Sequence, residues 1–144
     1  REFATVDLEQ PTGRFTITLA AAPPASSVYL YVLGCYADEN NFLALQISPG
    51  AGYLMDLVQM VSGMPTTLES ESFDMEWPTA GQTFTLEILP DNTVRMYRDD
   101  EQVGADATSS AGSSNTHWGI GANAWGVGPG DPLGPSIDQV DFTG

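Results

Sequence analysis

The chain contains no lysine, and its four arginines stand against 19 aspartates and glutamates, a formal net charge of −15. A surface of that sign repels phosphate backbones, which excludes nucleic acid as a partner. It disfavours anionic membrane surfaces for the same reason. Cys35 is the only cysteine, so neither an intrachain disulfide nor a thiolate zinc site can form. Its setting in the apolar run from Val28 to Ala37 reads as a small buried hydrophobe. His117 is the only histidine and leaves any zinc site short of nitrogen ligands. No stretch reaches the roughly 20 apolar residues of a membrane span. No window of helical length is amphipathic. The chain begins at Arg1 without a signal-peptide pattern, and reads as a processed product or the ordered part of something longer.

What is present is strand-forming. Hydrophobic residues make up 42%, too many for a disordered chain, and Thr, Val, Ile, Tyr and Phe are frequent. At 144 residues, one domain spanning 1–144 with a real core is expected. The clearest stretch runs from Thr83 to Val103. Phe84, Leu86 and Ile88 alternate with Thr83, Thr85 and Glu87, the period of a half-buried strand. Leu89-Pro90-Asp91-Asn92 is a turn, since Pro presets φ and Asp and Asn satisfy local backbone groups. Thr93 to Arg98 alternates again, with Val94 and Met96 on one face and Arg95 and Tyr97 on the other. Asp99-Asp100-Glu101 turns the chain back through Val103, completing an antiparallel meander.

Other strands are expected at Ala4–Leu8, Arg14–Ala20, Val28–Leu33, Phe42–Ser48, Tyr53–Val61, Thr66–Glu71, His117–Ala122 and Ser136–Phe142. Val28–Leu33 is apolar on both faces, the mark of a central strand covered on both sides. In the last strand Ile137, Val140 and Phe142 are placed inward. Gly104–Asn115 and the Gly- and Pro-rich Asn123–Pro135 are read as loops. The sum is ten or eleven short strands without a convincing helix: an all-β, antiparallel β-sandwich or jelly roll.

Three of these segments carry a resemblance. Val94-Arg95-Met96-Tyr97-Arg98 with its Asp turn and closing Val103, the Gly-rich His117-Trp118-Gly119-Ile120-Gly121-Ala122, and Ile137-Asp138-Gln139-Val140-Asp141-Phe142 resemble the concanavalin A-like jelly roll of lectins, glucanases and laminin-G domains. Asp100 stands where that turn usually has Gly, and Asp tolerates the left-handed conformation. Val6-Asp7-Leu8, Gly13-Arg14-Phe15 and Asp38-Glu39-Asn40-Asn41-Phe42 are similar in order to the jelly-roll domains of minor tail proteins from actinobacterial phages. The Phe-Thr-Arg-like extra strand that opens those domains is missing here. The resemblance implies a virion or extracellular setting, with other virion proteins or copies of the chain itself as partners, and host-surface carbohydrate as a candidate ligand.

Candidate chemistry is sparse. Glu71, Asp74 and Glu76 lie in the acidic stretch Glu69–Trp77, but not at the spacing of the glucanase Glu-x-Asp-x-Glu strand. In a regular strand Glu71 faces away from Asp74 and Glu76, while Asp74 and Glu76 share a face and could approach the about 5–5.5 Å that retaining hydrolysis sets between two carboxyl groups. Ser113 and Ser114 lack the constrained turn of a serine nucleophile, and His117 reads as a strand residue at a sheet edge. Asp38, Glu39, Asn40 and Asn41, or Asp99, Asp100 and Glu101, supply oxygens of the kind Ca²⁺ takes, without the spacing of a calcium loop. No catalytic residue and no cofactor are expected, with calcium as the exception to test. Binding falls to aromatic faces: Trp125 with Asn123 and Asp131 in the Gly-rich loop, then Trp118 and Tyr97. For Trp118 the competing expectation is core packing. Two functions follow: a non-enzymatic structural or adhesive virion protein that binds glycan, or a secreted carbohydrate-active enzyme or its binding module.

Overall fold

A computed structural model of the chain describes residues 2–22, 28–49, 52–74, 78–111, 114–124 and 137–144. These residues form eleven β-strands and no helix: β1 (Glu2–Asp7), β2 (Gly13–Leu19), β3 (Val28–Asp38), β4 (Asn41–Pro49), β5 (Gly52–Val61), β6 (Met64–Asp74), β7 (Thr83–Ile88), β8 (Thr93–Arg98), β9 (Glu101–Thr108), β10 (His117–Ala124) and β11 (Ile137–Thr143). A six-stranded sheet runs β1-β10-β3-β4-β5-β6 and a five-stranded sheet runs β11-β2-β7-β8-β9. Every pairing is antiparallel.

The period-two pattern places the core. Phe15, Ile17, Leu19, Phe84, Leu86, Val94 and Met96 from the smaller sheet meet Leu30, Val32, Leu43, Leu45, Ile47, Met55, Leu57 and Trp118 from the larger one. At about 25 cal/mol per Å² of apolar surface, this interface is the main source of stability. Gly34 sits where the sheets approach closely. A Cβ there would lie 2.7 Å from Ile88 Cδ1 and 3.2 Å from the Trp118 ring.

The tight turns follow from residue type. Asp99 and Asp100 take φ of 50° and 67°, and Ser62 and Gly63 take 51° and 78°. Two consecutive left-handed residues between paired strands are the type I′ signature. The Asp side chains are used locally: Asp99 Oδ1 accepts the Thr83 N–H at 3.0 Å, and Asp91 Oδ1 accepts that of Thr93 at 3.0 Å.

The structure departs from the sequence expectations at several places. Gly104–Thr108 is not loop but the second half of β9, and Ser72–Asp74 extends β6. Pairing with β8, as in Thr93 with Thr108, overrides the weak strand propensity of the small residues there. Val140 aligns with Ile17 but stays 46% exposed, because β11 is the rim of its sheet. Phe142 does pack inward, 5.1 Å from the Trp118 ring. Asn123 belongs to β10 rather than to a loop.

Candidate functional site

β3 is apolar on both faces, and the two faces do different things. Leu30 and Val32 enter the core between the sheets, while Tyr31 and Leu33 join Phe42 and Ala44 of β4 in a second cluster on the outer face. Phe3, Tyr29, Tyr36 and Met60 pack around it, half-buried. Register explains the gathering. Phe3 pairs with Gly121, and Gly121 pairs with Tyr31, so rings from flanking strands meet across a residue without a side chain. The Phe3 ring lies edge-on to Tyr31 at 5.5 Å, to Phe42 at 5.3 Å and to Tyr36 at 5.8 Å. Edge-to-face pairs of this kind add to what burial alone supplies.

Beside the rings the same face turns polar. Tyr31 pairs with Gln46, Gln46 with Asp56, and Asp56 with Ser70, a row across four strands. Gln46 Nε2 donates to Ser48 Oγ at 3.2 Å, and Ser70 donates its hydroxyl to Asp56. Ser48, Leu54 and Ser72 align one step along, with Leu54 exposed. Aromatic faces next to a carboxylate, an amide and hydroxyls match a sugar, which offers C–H faces and hydroxyls together. The sequence missed this surface because its parts come from Phe3, Tyr31, Phe42 and Asp56, far apart in the chain. The signal available was the doubly apolar β3.

Of the expected site residues that are described, Trp118 and Tyr97 lie elsewhere, and Asn123 lies beside that face at Tyr29. Trp118 is fully buried, stacked near Phe15 at 6.1 Å, and its Nε1–H donates to the Gln10 carbonyl at 2.8 Å. It lies two residues from Ile120, which pairs with the core residue Val32, so strand alternation turns it toward the core and its ring offers no open face to a ligand. Tyr97 lies on the outer face of the other sheet. The Arg14 guanidinium sits 4.2 Å over its ring, and its hydroxyl donates to Glu87 Oε1 at 2.6 Å. Burial and the Glu87 carboxylate push the Tyr97 phenol above its usual pKa. Asn123 aligns with Tyr29 at the end of β10, while Trp125 and Asp131 lie outside the described residues.

Cys35 is buried at φ 49°, where the register of β3 against β4 shifts, and burial pushes its thiol up to about 11. His117 is exposed at the start of β10, aligned with Asp7. Glu71 is exposed on β6, Ser114 is exposed, and Ser113, Glu76 and the Asp74 side chain lie outside the described residues. Asp38 Oδ1 caps its own turn, accepting from Asn40 N at 2.8 Å and Asn41 Nδ2 at 3.0 Å. Among the described residues no three His, Cys, Asp or Glu side chains gather as a metal set.

Comparisons with known proteins place the architecture. No family model matches the chain, and no curated protein matches it. Among solved structures it is similar to the carbohydrate-binding module CBM66 from Bacillus subtilis, at 11% identity and TM-score 0.65 over 98% of this chain and 78% of that one. It is similar to sheep galectin-11, solved with glycerol, at 10% identity and TM-score 0.67 over 99% and 96% of the two chains. The fold shared with these structures is the antiparallel β-sandwich jelly roll. A third similar structure is the GH43 protein BlXynB from Bacillus licheniformis, at 16% identity and TM-score 0.69, where this chain spans 29% of the other's length.

Proposed function

We propose that this domain is a non-catalytic carbohydrate-binding module whose ligand lies on the outer face of the six-stranded sheet. The observation that carries the reading is the gathering of the half-buried Phe3, Tyr29 and Tyr36 rings on buried Tyr31 and Phe42, with Tyr31 paired to Gln46 at the head of the Gln46–Asp56–Ser70 row. The likeness to a carbohydrate-binding module and to a galectin supports the ligand class. The non-catalytic part rests on the carboxylate spacing and on the absence of a nucleophile turn from the sequence. A charge of −15 favours neutral or amino sugars over uronic or sialic acids.

The resemblance of Val6-Asp7-Leu8, Gly13-Arg14-Phe15 and Asp38–Phe42 to phage tail domains favours a finer version: the module is displayed in many copies on a virion, tail- or capsid-associated, and meets host glycan there. Repetition would raise avidity by about 10²–10⁴ over one weak site. The test is titration with a panel of neutral, amino and acidic oligosaccharides, on wild type, Asp56→Ala and Gln46→Ala. Binding of a neutral or amino sugar, weakened about tenfold or more in both variants with an unchanged melt, supports the reading. Binding of none, or turnover of any, overturns it.

A further inference from the structure

The two sheets end on one side of the sandwich in the edge strands β6 and β9, and both are irregular where they meet. In β6 the register slips between Leu57 and Val58, whose partners Glu69 and Thr67 leave Leu68 unmatched. In β9 it slips between Val94 and Met96, whose partners are Ala107 and Val103. Bulges of this kind re-aim side chains and end strand pairing. Glu69 and Glu71 pair with Leu57 and Met55, both core residues, so they point to the inner side of their sheet, past the last strand that the core fills. Gly104 lies beneath Glu69 at φ +72°, and a Cβ there would come 2.8 Å from Glu69 Cγ.

These irregularities leave a cavity of about 350 Å³, lined among others by Glu71, Phe73, Arg98, Glu101, Gln102 and Gly104. It is a depression open to solvent on one side. Its wall is a built stack. The Arg98 guanidinium lies 3.8 Å over Phe73, whose ring stacks on Tyr53 at 4.9 Å, and Arg98 Nη1 donates to the Tyr53 hydroxyl at 2.8 Å. The stack fixes a long cationic side chain that would otherwise move freely. Glu71 and Glu101 stand at the opening as hydrogen-bond acceptors, and Gln102 adds an amide whose Nε2 donates to Asp106 at 2.7 Å.

We infer that this cleft is a second sugar-binding site, taking a single neutral or amino sugar residue end-on at the edge of the sandwich. Two carboxylates accept hydrogen bonds from neighbouring ring hydroxyls or from an ammonium group. Glu71 and Glu101 outnumber Arg98, whose guanidinium is engaged by Phe73 and Tyr53, and so disfavour an anionic sugar. The inference shares the ligand class of the outer-face reading but none of its residues. Another account of Glu69 and Glu71 exists: inward-pointing charges on an edge strand guard against pairing with a second chain.

The experiment follows backbone amides by NMR while the 144-residue chain is titrated with methyl β-glucoside, glucosamine or glucuronate at constant ionic strength. The expected result is movement of the amides of residues 71–73 and 102–104 with the first two probes and none with glucuronate. These shifts persist in the outer-face variant Asp56→Ala and weaken about tenfold or more in Glu71→Gln and in Gln102→Ala. Gly104→Val should remove them as well; because it strains the backbone, it counts only if its melt stays cooperative, and the other two variants carry the test without it. The inference is overturned if no cleft amide moves with any probe, if glucuronate moves them equally, or if their movement disappears in Asp56→Ala, which would make it an echo of the other face. It is also overturned if Glu71→Gln leaves the titration unchanged and makes the chain dimerise. Failure of the outer-face reading is separate: there the amides of β4 and β5 stay still while those of the cleft move.

Discussion

The outer faces of the two sheets are built from the same alternating strands and are finished differently. On the five-stranded sheet the polar groups answer one another. Arg95 binds Asp106 through Nε at 2.8 Å and Nη2 at 3.1 Å, and Glu87 accepts from Tyr97 at 2.6 Å and from Arg95 at 3.4 Å. Arg14 covers the Tyr97 ring, and Thr16 and Thr85 share a hydrogen bond at 2.7 Å. On the six-stranded sheet the long-range organisation is aromatic, and the polar bonds of Gln46 and Asp56 reach only to a neighbouring side chain. A face whose charges are paired internally has little left to offer a ligand. A face of half-buried rings beside short polar side chains keeps its hydrogen-bonding groups near the surface.

The comparison holds only if both faces rest on the same core, and Trp118 tests that first. Trp118→Ala should cost about 3–5 kcal/mol, the range for a buried aromatic cut to Ala. Denaturant unfolding would read it. Trp118→Phe keeps most of the packing but strands the Gln10 carbonyl, and should cost less, on the order of 1–3 kcal/mol. A Trp118→Ala protein with wild-type stability would mean that the ring is not the pivot between Phe15 and Phe142.

The next contrast sets one face against the other. Tyr29→Ala and Tyr36→Ala remove half-buried rings from the six-stranded face and should lower sugar affinity about tenfold, with a stability loss of roughly 1–2 kcal/mol. Tyr97→Phe removes the hydroxyl that Glu87 accepts and should leave sugar binding unchanged. Equal loss of binding from Tyr36→Ala and Tyr97→Phe in a glycan titration would erase the distinction between the faces.

A smaller effect separates core from surface by pH. The Cys35 thiol has its pKa raised from 9.0 to about 11 in the folded chain, so the folded state holds its proton more tightly than the unfolded state. The stabilisation is complete below pH 9 and is lost as pH rises towards 11, by about 2 kcal/mol at most. Wild type should therefore lose more stability than Cys35→Ala between pH 9 and 11, in urea titrations at each pH. Parallel pH curves for the two proteins would contradict the burial of the thiol.

How much of this was legible in the sequence depends on where a residue's partners come from. The meander from Thr83 to Val103 was readable because Phe84, Leu86, Val94 and Met96 bury one face against a core that local alternation declares. Asp99-Asp100 was readable because few residue types accept φ > 0. The second half of β9 was not, since Gly104 to Thr108 becomes strand only through its pairing with β8. Trp118 was legible as a choice between core and ligand, and only the register that sets Ile120 against Val32 decided it. The outer-face rings were hinted at by the doubly apolar β3. Their neighbours Phe3 and Phe42 could be placed only once β1 and β4 were set on either side of β10 and β3.

The smallest effect bears on the face that is closed upon itself. Asp106 is held below the usual carboxylate range, first by the hydrogen bonds from Arg95 and then by Gln102, and it is fully exposed. A folded-state pKa that is depressed contributes stability above the unfolded value near 3.8, and loses it as pH falls through the folded one. Arg95→Gln removes the cause, so the Asp106 carboxyl should titrate nearer its ordinary value in the variant. Side-chain carboxyl NMR would read that shift directly. The stability change should be slight, a fall in melting temperature of roughly 2 °C or less at neutral pH, because solvent and salt screen an exposed pair. Below the folded pKa of Asp106 the two proteins should melt together. Sugar affinity of the six-stranded face should not change at any of these pH values, because Arg95 and the outer-face rings lie on opposite sides of the sandwich. Weaker binding at the six-stranded face in Arg95→Gln, with the small melting shift as expected, would mean that the outer face of the five-stranded sheet is not closed after all and takes part in recognition across the sandwich.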